Sequence, residues 1–350
     1  MSEYDGKQFV GIDLHRHRSV IVRLSATGEQ LGVVRIANDP MALAEQIGKA
    51  GEHPEVVLEA TYGWYWAADA LADVGATVHL AHPLGIKGFT YRRVKNDVRD
   101  AADLADLLRM NRLPEAWIAP PATRELRELV RHRAKLVALR SGLKASVHAV
   151  LAKQGLHLPV TDVFGVRGRA LLDKAPLDRP YRARVNSLCR LIDAFDFEIQ
   201  VATRLVAGRL ACHPGHQAIQ QIPGVGPTLA AVFVAEIGDV ARFTSARHLT
   251  SLAGLTPRHR ESDTTVHRGP ITKQGSTLVR WAAIEAAQKT PPGPGGWSVP
   301  MPGSPPGGVG TPPPSRWPAS CSSSSTTACG TGTSAPCTPT NETRRERART

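Results

Sequence analysis

Two short apolar runs each end on a carboxylate: Phe9-Val10-Gly11-Ile12-Asp13 and Val56-Val57-Leu58-Glu59. Runs this short and this rich in β-branched residues read as strands. Ser19–Leu24 and Leu31–Ile36 join the first run in a three-strand meander, and Ala26-Thr27-Gly28-Glu29 supplies the turn chemistry between the second and third strands. A helical stretch from Met41 to Ala50 follows. After the second acid-ending run come a helix from about Trp64 to Val74, a strand Thr77–Ala81 and a helix from about Asn96 to Met110. Strands that first pair as hairpins and then alternate with helices predict an α/β domain over residues 7–115, a mixed sheet with helices packed on its faces.

The helix beginning near Asn96 carries four aspartates at three-residue intervals, Asp97, Asp100, Asp103 and Asp106. At about 100° per residue, Ala101, Leu104, Ala105 and Leu108 form its apolar face. Asp97 lies along the centre of that face and Asp100 along its flank, while Asp103 and Asp106 point away, as acids on a solvated face do. Acids turned toward a core repel one another and lose hydration unless a cation offsets them. Asp13, Glu59, Asp97 and Asp100 are therefore candidate ligands for a divalent cation, Mg²⁺ or Mn²⁺, which hard oxygen donors suit. Such ions can activate the attacking oxygen and stabilise the leaving oxygen at a phosphodiester. Gly11, two residues before Asp13, leaves room for something to approach the strand backbone.

The chain has 350 residues and a formal net charge of +12, which favours polyanionic partners, nucleic acid above all. It contains no stretch of about 18 apolar residues and opens without a basic, apolar leader, so a cytoplasmic protein with no membrane partner is expected. The five cysteines lack metal-ligand spacing. Residues 120–210 read as a basic region of long, coiled-coil-like helices, in which Arg124, Arg127, Arg131, Arg133, Lys135, Arg140 and Lys144 interleave with an apolar stripe. Arg124, Arg127 and Arg131 are candidate nucleic-acid contacts.

Residues 215–289 read as a mainly helical C-terminal domain. Ile222-Pro223-Gly224-Val225-Gly226 followed by a small-residue helix has the look of a helix-hairpin-helix, in which Gly224 and Gly226 leave backbone N–H groups to meet a phosphate. A tight turn that binds nothing would explain the same residues. A polar loop from Arg258 to Arg268 holds Ser262 among Arg258, Arg260, His267 and Arg268. Cations around a hydroxyl could stabilise a phosphorane-like transition state. From Thr290 to Thr340 there is no Leu, Ile, Phe, Tyr, Lys or Asp, and residues 290–350 are expected to form a low-complexity disordered tail.

Taken together, Gly11-Ile12-Asp13, Leu58-Glu59-Ala60-Thr61 and Lys95-Asn96-Asp97-Val98-Arg99-Asp100-Ala101 resemble the DEDD domain of the IS-one-ten insertion-sequence transposases, relatives of the Piv invertases. The resemblance runs from about Phe9 to Gln288. It implies an RNase H-like fold similar to the RuvC resolvase, with Asp13, Glu59, Asp97 and Asp100 as catalytic metal ligands. It also implies cleavage and joining of DNA at element ends and target, a guide RNA, dimers pairing into tetramers, and a bacterial, nucleoid-associated protein. Ser262 falls where the family carries a nucleophilic serine, usually followed by glycine; here Asp263 follows. Lys273 is a further candidate nucleic-acid contact within the same family segment. Family members continue past a helix like Leu278–Gln288 with basic helical sequence, so the tract from Thr290 reads as a shifted frame. A junction nuclease using water and a catalytically inactive nucleic-acid-binding protein are the competing readings.

Overall fold

The computed structural model describes residue 4, residues 6–89 and residues 96–289. The chain divides into two compact units, residues 1–119 and 120–350.

The first unit opens with β1 (Gln8–Leu14), β2 (Arg18–Ser25) and β3 (Gln30–Ala37), paired antiparallel. Then follow α1 (Pro40–Gly48), β4 (Glu55–Glu59), α2 (Trp64–Asp73), β5 (Thr77–Ala81), the single turn α3 (Pro83–Ile86) and α4 (Asp97–Arg109). The sheet order is β3-β2-β1-β4-β5, with β4 parallel to both β1 and β5. This mixed sheet is the architecture expected from the alternation of runs and helices, and it is consistent with an RNase H-like domain.

β1 is buried along almost its whole length because both faces of the sheet are covered. On one face Val10, Ile12, Ile21, Val56 and Leu58 pack with Leu43 and Ile47 of α1 and Leu71 of α2. On the other, Val20, Val22 and Leu24 meet Ala101 and Ala105 of α4, and Phe9 and Val57 meet Leu104 and Leu108. Burying a leucine or isoleucine side chain contributes about 1.5–3 kcal/mol, and this second layer fixes where α4 lies.

The second unit contains α5 (Pro121–Lys153), α6 (Val166–Lys174), α7 (Arg179–Leu210), α8 (Pro214–Ile219), α9 (Pro227–Ile237), α10 (Ala246–Leu252), the strands β6 (Pro257–Ser262) and β7 (Thr265–Ile271), and α11 (Thr277–Lys289). The long helices α5 and α7 pack on each other, and Leu136 of α5 is buried with Ile199 and Ala202 of α7. α9 is buried almost all round: Ala230 to Ala235 and Ile237 form the centre of a core with Val206, Leu249, Val279 and Ala282.

One expectation is corrected here. The stretch Arg258–Arg268 is not a loop but an antiparallel hairpin, with Arg260 opposite His267 and Ser262 opposite Thr265. Its side chains are exposed on both faces, so no apolar alternation marked it as strand. The segment expected to be a disordered or frame-shifted tail lies outside the described residues.

Candidate metal centre and nucleic-acid interface

Asp13 and Glu59 owe their placement to strand register. β1 and β4 run parallel with Ile12 beside Leu58, so the next residues, Asp13 and Glu59, stand as neighbours on the opposite face of the pleat, the one covered by α4. The close approach expected at Gly11 is that of α4: a Cβ on Gly11 would stand 1.9 Å from the Ala101 carbonyl oxygen. Helix and strand backbones therefore touch there, and the N-terminal turn of α4 arrives over the end of β1. Asn96 caps that turn, its Oδ1 accepting from the Val98 N–H at 3.0 Å. Asp97 and Asp100 lie in the first turn, where the helix dipole also favours negative charge.

Asp13 and Asp97 converge. A carboxylate oxygen of each and Nε2 of His15 all lie within 4.8 Å of one another. His15 Nε2 is 3.1 Å from Asp13 Oδ2 and 3.5 Å from Asp97 Oδ1, and Arg18 NH2 is 3.8 Å from Asp97 Oδ2. The Asp13 side chain is 15% exposed and that of Asp97 33%. Glu59 and Asp100 are outside this trio, Glu59 on the neighbouring strand end and Asp100 three residues after Asp97 in the same first turn of α4. Asp106 has a structural role: its Oδ1 accepts from Nε and NH2 of Arg109 at 2.9 and 2.7 Å.

Two carboxylates this close, partly withdrawn from water, require positive charge between or beside them. The donor set is hard oxygen with one imidazole nitrogen, open enough for solvent to complete a shell, and it fits a small divalent cation. The cluster and the DEDD-type domain together suggest a divalent metal.

His15 escaped the sequence reading. It sits in the turn between β1 and β2, closed by the His15 N–H donating to the Arg18 carbonyl at 3.1 Å. Its signal was proximity alone, a His-Arg-His-Arg run directly after the first acid strand.

In the second unit, three arginines singled out for nucleic acid do other work. Arg124 is 5% exposed. Arg127 donates from Nε to the Ala235 carbonyl at 2.8 Å and from NH2 to the Glu236 carbonyl at 2.9 Å, closing the C-terminus of α9. Arg131 forms a two-pronged pair with the Glu236 carboxylate at 2.7 and 3.0 Å. Arg124 is thus buried, while Arg127 and Arg131 are engaged by α9.

Glycines 224 and 226 lie in the turn between α8 and α9. Gly224 has φ +84°, a left-handed conformation that favours glycine. Gly226 is the N-cap of α9, with no side-chain cap bond, and a Cβ there would meet nothing within 4 Å. The hairpin presents Arg258, Arg260 and Arg268 in full exposure, with Ser262 at the end of β6. Asp263, at the tip, has φ +51°. Lys273 is exposed and also left-handed, φ +57°, its N–H donating to the Gly254 carbonyl at 2.9 Å. Among the described residues no helix is long and apolar enough to cross a membrane.

Comparison with known proteins gives two family matches. Residues 10–154 match the DEDD transposase family of IS110, and residues 216–291 match the transposase family of IS116, IS110 and IS902. The Sinorhizobium fredii protein y4qE, named for a transposase, is 29% identical over 286 residues, covering 80% of this chain and 70% of the relative. The Coxiella burnetii transposase for insertion sequence element IS1111A is 24% identical over 247 residues, covering 67% of this chain and 65% of the relative. The pilin gene-inverting protein of Moraxella bovis is 45% identical over 47 residues, 13% of this chain and 15% of the relative.

Proposed function

The chain belongs to the IS110/IS116 family of insertion-sequence transposases, and from that membership we propose that it cuts and joins DNA with an N-terminal carboxylate centre and the hydroxyl of Ser262. One observation carries the reading: Asp13, on the first strand, and Asp97, on the fourth helix, bring carboxylate oxygens within 4.8 Å of each other. The two acids meet beside His15 at the end of β1, next to the end of β4 that Glu59 occupies, which is the arrangement a carboxylate metal centre needs.

In this reading Asp13 and Asp97 hold a divalent cation, Mg²⁺ or Mn²⁺, with Glu59 and Asp100 completing the carboxylate set. The cation, when bound, supplies Lewis-acid stabilisation of the charge that builds on a phosphodiester under attack. Ser262 is the nucleophile: its Oγ gives up its proton and forms a bond to phosphorus, the ester bond to one DNA sugar oxygen breaks, and that oxygen takes up a proton and leaves as a hydroxyl, with no net proton gained or lost. Arg260 on the same strand and Arg258 and Arg268 nearby stabilise the added negative charge. Gly224, Gly226 and Lys273 contribute backbone and side-chain contacts to phosphates. A structured RNA guides the choice of DNA, and the protein acts as dimers paired into tetramers.

The test is a denaturing gel after incubating the full chain with element-end DNA, RNA transcribed from the element and Mg²⁺ or Mn²⁺. A covalent protein–DNA adduct is expected with the wild type, lost in Ser262→Ala and in Asp97→Asn. Cleaved DNA with no adduct would reassign the chemistry to water, and shifted but intact DNA would leave only binding.

A further inference from the structure

The contacts of His15 differ in kind from those of the other histidine that lies between two acids. His79 uses both ring nitrogens: Nε2 is 2.9 Å from Glu55 Oε2 and Nδ1 is 3.0 Å from Glu115 Oε1. Each of its nitrogens has a carboxylate partner of its own. At His15 a single atom, Nε2, faces both Asp13 and Asp97, at 3.1 and 3.5 Å. One N–H could serve both only as a bent, three-centre bond. Three donor atoms instead converge on one small volume, each within 4.8 Å of the others.

Those separations match the edges of a coordination shell. With ligand distances of about 2.1 Å, adjacent ligand atoms stand about 3.0 Å apart in an octahedron and about 3.4 Å apart in a tetrahedron. The backbone that carries the ring is also held. Asn38, at the end of β3, donates from Nδ2 to the His15 carbonyl at 2.6 Å and accepts from Ser19 Oγ at 2.7 Å. The turn that carries the imidazole is thus pinned to two strands of the sheet.

We propose that His15 is a ligand of the divalent ion held by Asp13 and Asp97, giving this centre a nitrogen donor through Nε2 and a preference for Mn²⁺ over Mg²⁺. The inference rests on the reading that those two aspartates bind a divalent cation. Carboxylate and water oxygens suit Mg²⁺ and Mn²⁺ alike, whereas imidazole favours the transition metal. Asn38 is then a positioning residue acting through the turn.

The experiment uses the full chain and Mn²⁺ alone, read by pulsed electron paramagnetic resonance for coupling to ¹⁴N, with Mn²⁺ and Mg²⁺ affinities from titration and competition. Expected is a clear ¹⁴N coupling in the wild type, retained in His79→Gln and absent in His15→Gln. His15→Gln is also expected to weaken Mn²⁺ about tenfold and Mg²⁺ by less than about threefold. Mn²⁺ bound by the wild type and lost in Asp13→Asn, but without ¹⁴N coupling, would overturn the assignment of His15 and leave the carboxylate site standing. Mn²⁺ binding untouched by Asp13→Asn would overturn both. Absence of coupling in the wild type with Mn²⁺ bound overturns the proposal without any variant having to fold, and a coupling seen there is assigned to His15 by its loss in His15→Gln.

Discussion

Gly11 fixes the site more firmly than any of the acids do, because its missing side chain lets α4 come down onto β1. A methyl group there would meet the Ala101 carbonyl oxygen at 1.9 Å and the Ala105 nitrogen at 2.9 Å, backbone atoms that cannot swing aside. Gly11→Ala is therefore expected to push the helix off the strand, destabilise residues 1–119 by about 3 kcal/mol and move Asp97 away from Asp13, weakening Mn²⁺ binding. Denaturant unfolding and a Mn²⁺ titration check both parts. Gly48→Ala is the control, since its Cβ would meet nothing within 4 Å at the end of a helix; it is expected to be neutral or slightly stabilising. Unchanged stability in Gly11→Ala would mean that the helix does not rest on this strand. At the hairpin tip, Asp263 occupies the position where the family resemblance places glycine, and its φ of +51° is the conformation glycine tolerates best. Aspartate is one of the few other residues that adopt it readily, so the departure from the family pattern keeps the turn while adding a negative charge beside Ser262.

Among the elements, α9 is anchored to α5 through one carboxylate. Glu236 is buried, 6% exposed, and takes both prongs of Arg131 and the Ser276 hydroxyl, whose Oγ donates to Oε2 at 3.0 Å. Burial pushes its pKa up, but Arg131, Ser276 and Arg127 outweigh burial and hold it below the usual glutamate value. A group whose folded pKa is lowered contributes stability that is present above its unfolded pKa and is lost as pH falls through the folded one. The wild-type chain is thus expected to lose stability below about pH 4.3, and Glu236→Gln to lose less over the same range. At neutral pH Glu236→Ala is expected to cost about 2 kcal/mol, less than the ~3–5 of a fully buried pair, because the Arg131 side chain is 47% exposed. Urea unfolding at neutral pH and again in acid measures both; equal slopes with pH in the two proteins would contradict the assignment. The same pairing explains a limit of the sequence. The short apolar, β-branched runs of β1 to β5 carry their burial in local composition, so the sheet and its helices were legible. The destination of Arg127 and Arg131 depends on a partner about a hundred residues away, and nothing local separates an arginine that closes a helix from one that meets phosphate. β6 and β7 were missed for the converse reason: exposed on both faces, they have no burial pattern to read. His15 shares the difficulty of the arginines, since Asp97 reaches it only through the packing of α4.

Charge divides the whole molecule along the same line as its compact units. Residues 1–119 contain 13 Lys and Arg against 16 Asp and Glu, whereas residues 120–350 contain 30 against 15, so the net charge of +12 conceals −3 in the first unit and +15 in the second. An acidic unit carrying a carboxylate cluster repels a phosphodiester until a cation is present, so DNA affinity must come from the basic unit. Neutralising 6–10 phosphates makes binding fall by about 10³–10⁵ between about 50 and 200 mM salt, and a loss of about a thousandfold is expected here for the full chain on duplex DNA, measured by fluorescence anisotropy. Because Arg124 is buried and Arg127 and Arg131 are paired to α9, substituting them should alter stability before it alters the salt slope. The exposed hairpin arginines behave oppositely: Arg258→Ala, Arg260→Ala and Arg268→Ala combined are expected to reduce the slope of log affinity against log salt by about 3, at about 0.9 per phosphate, with the fold intact. A slope unchanged in that triple variant would remove the hairpin from the DNA-binding surface, and with it the physical reason for expecting Ser262 beside a phosphate.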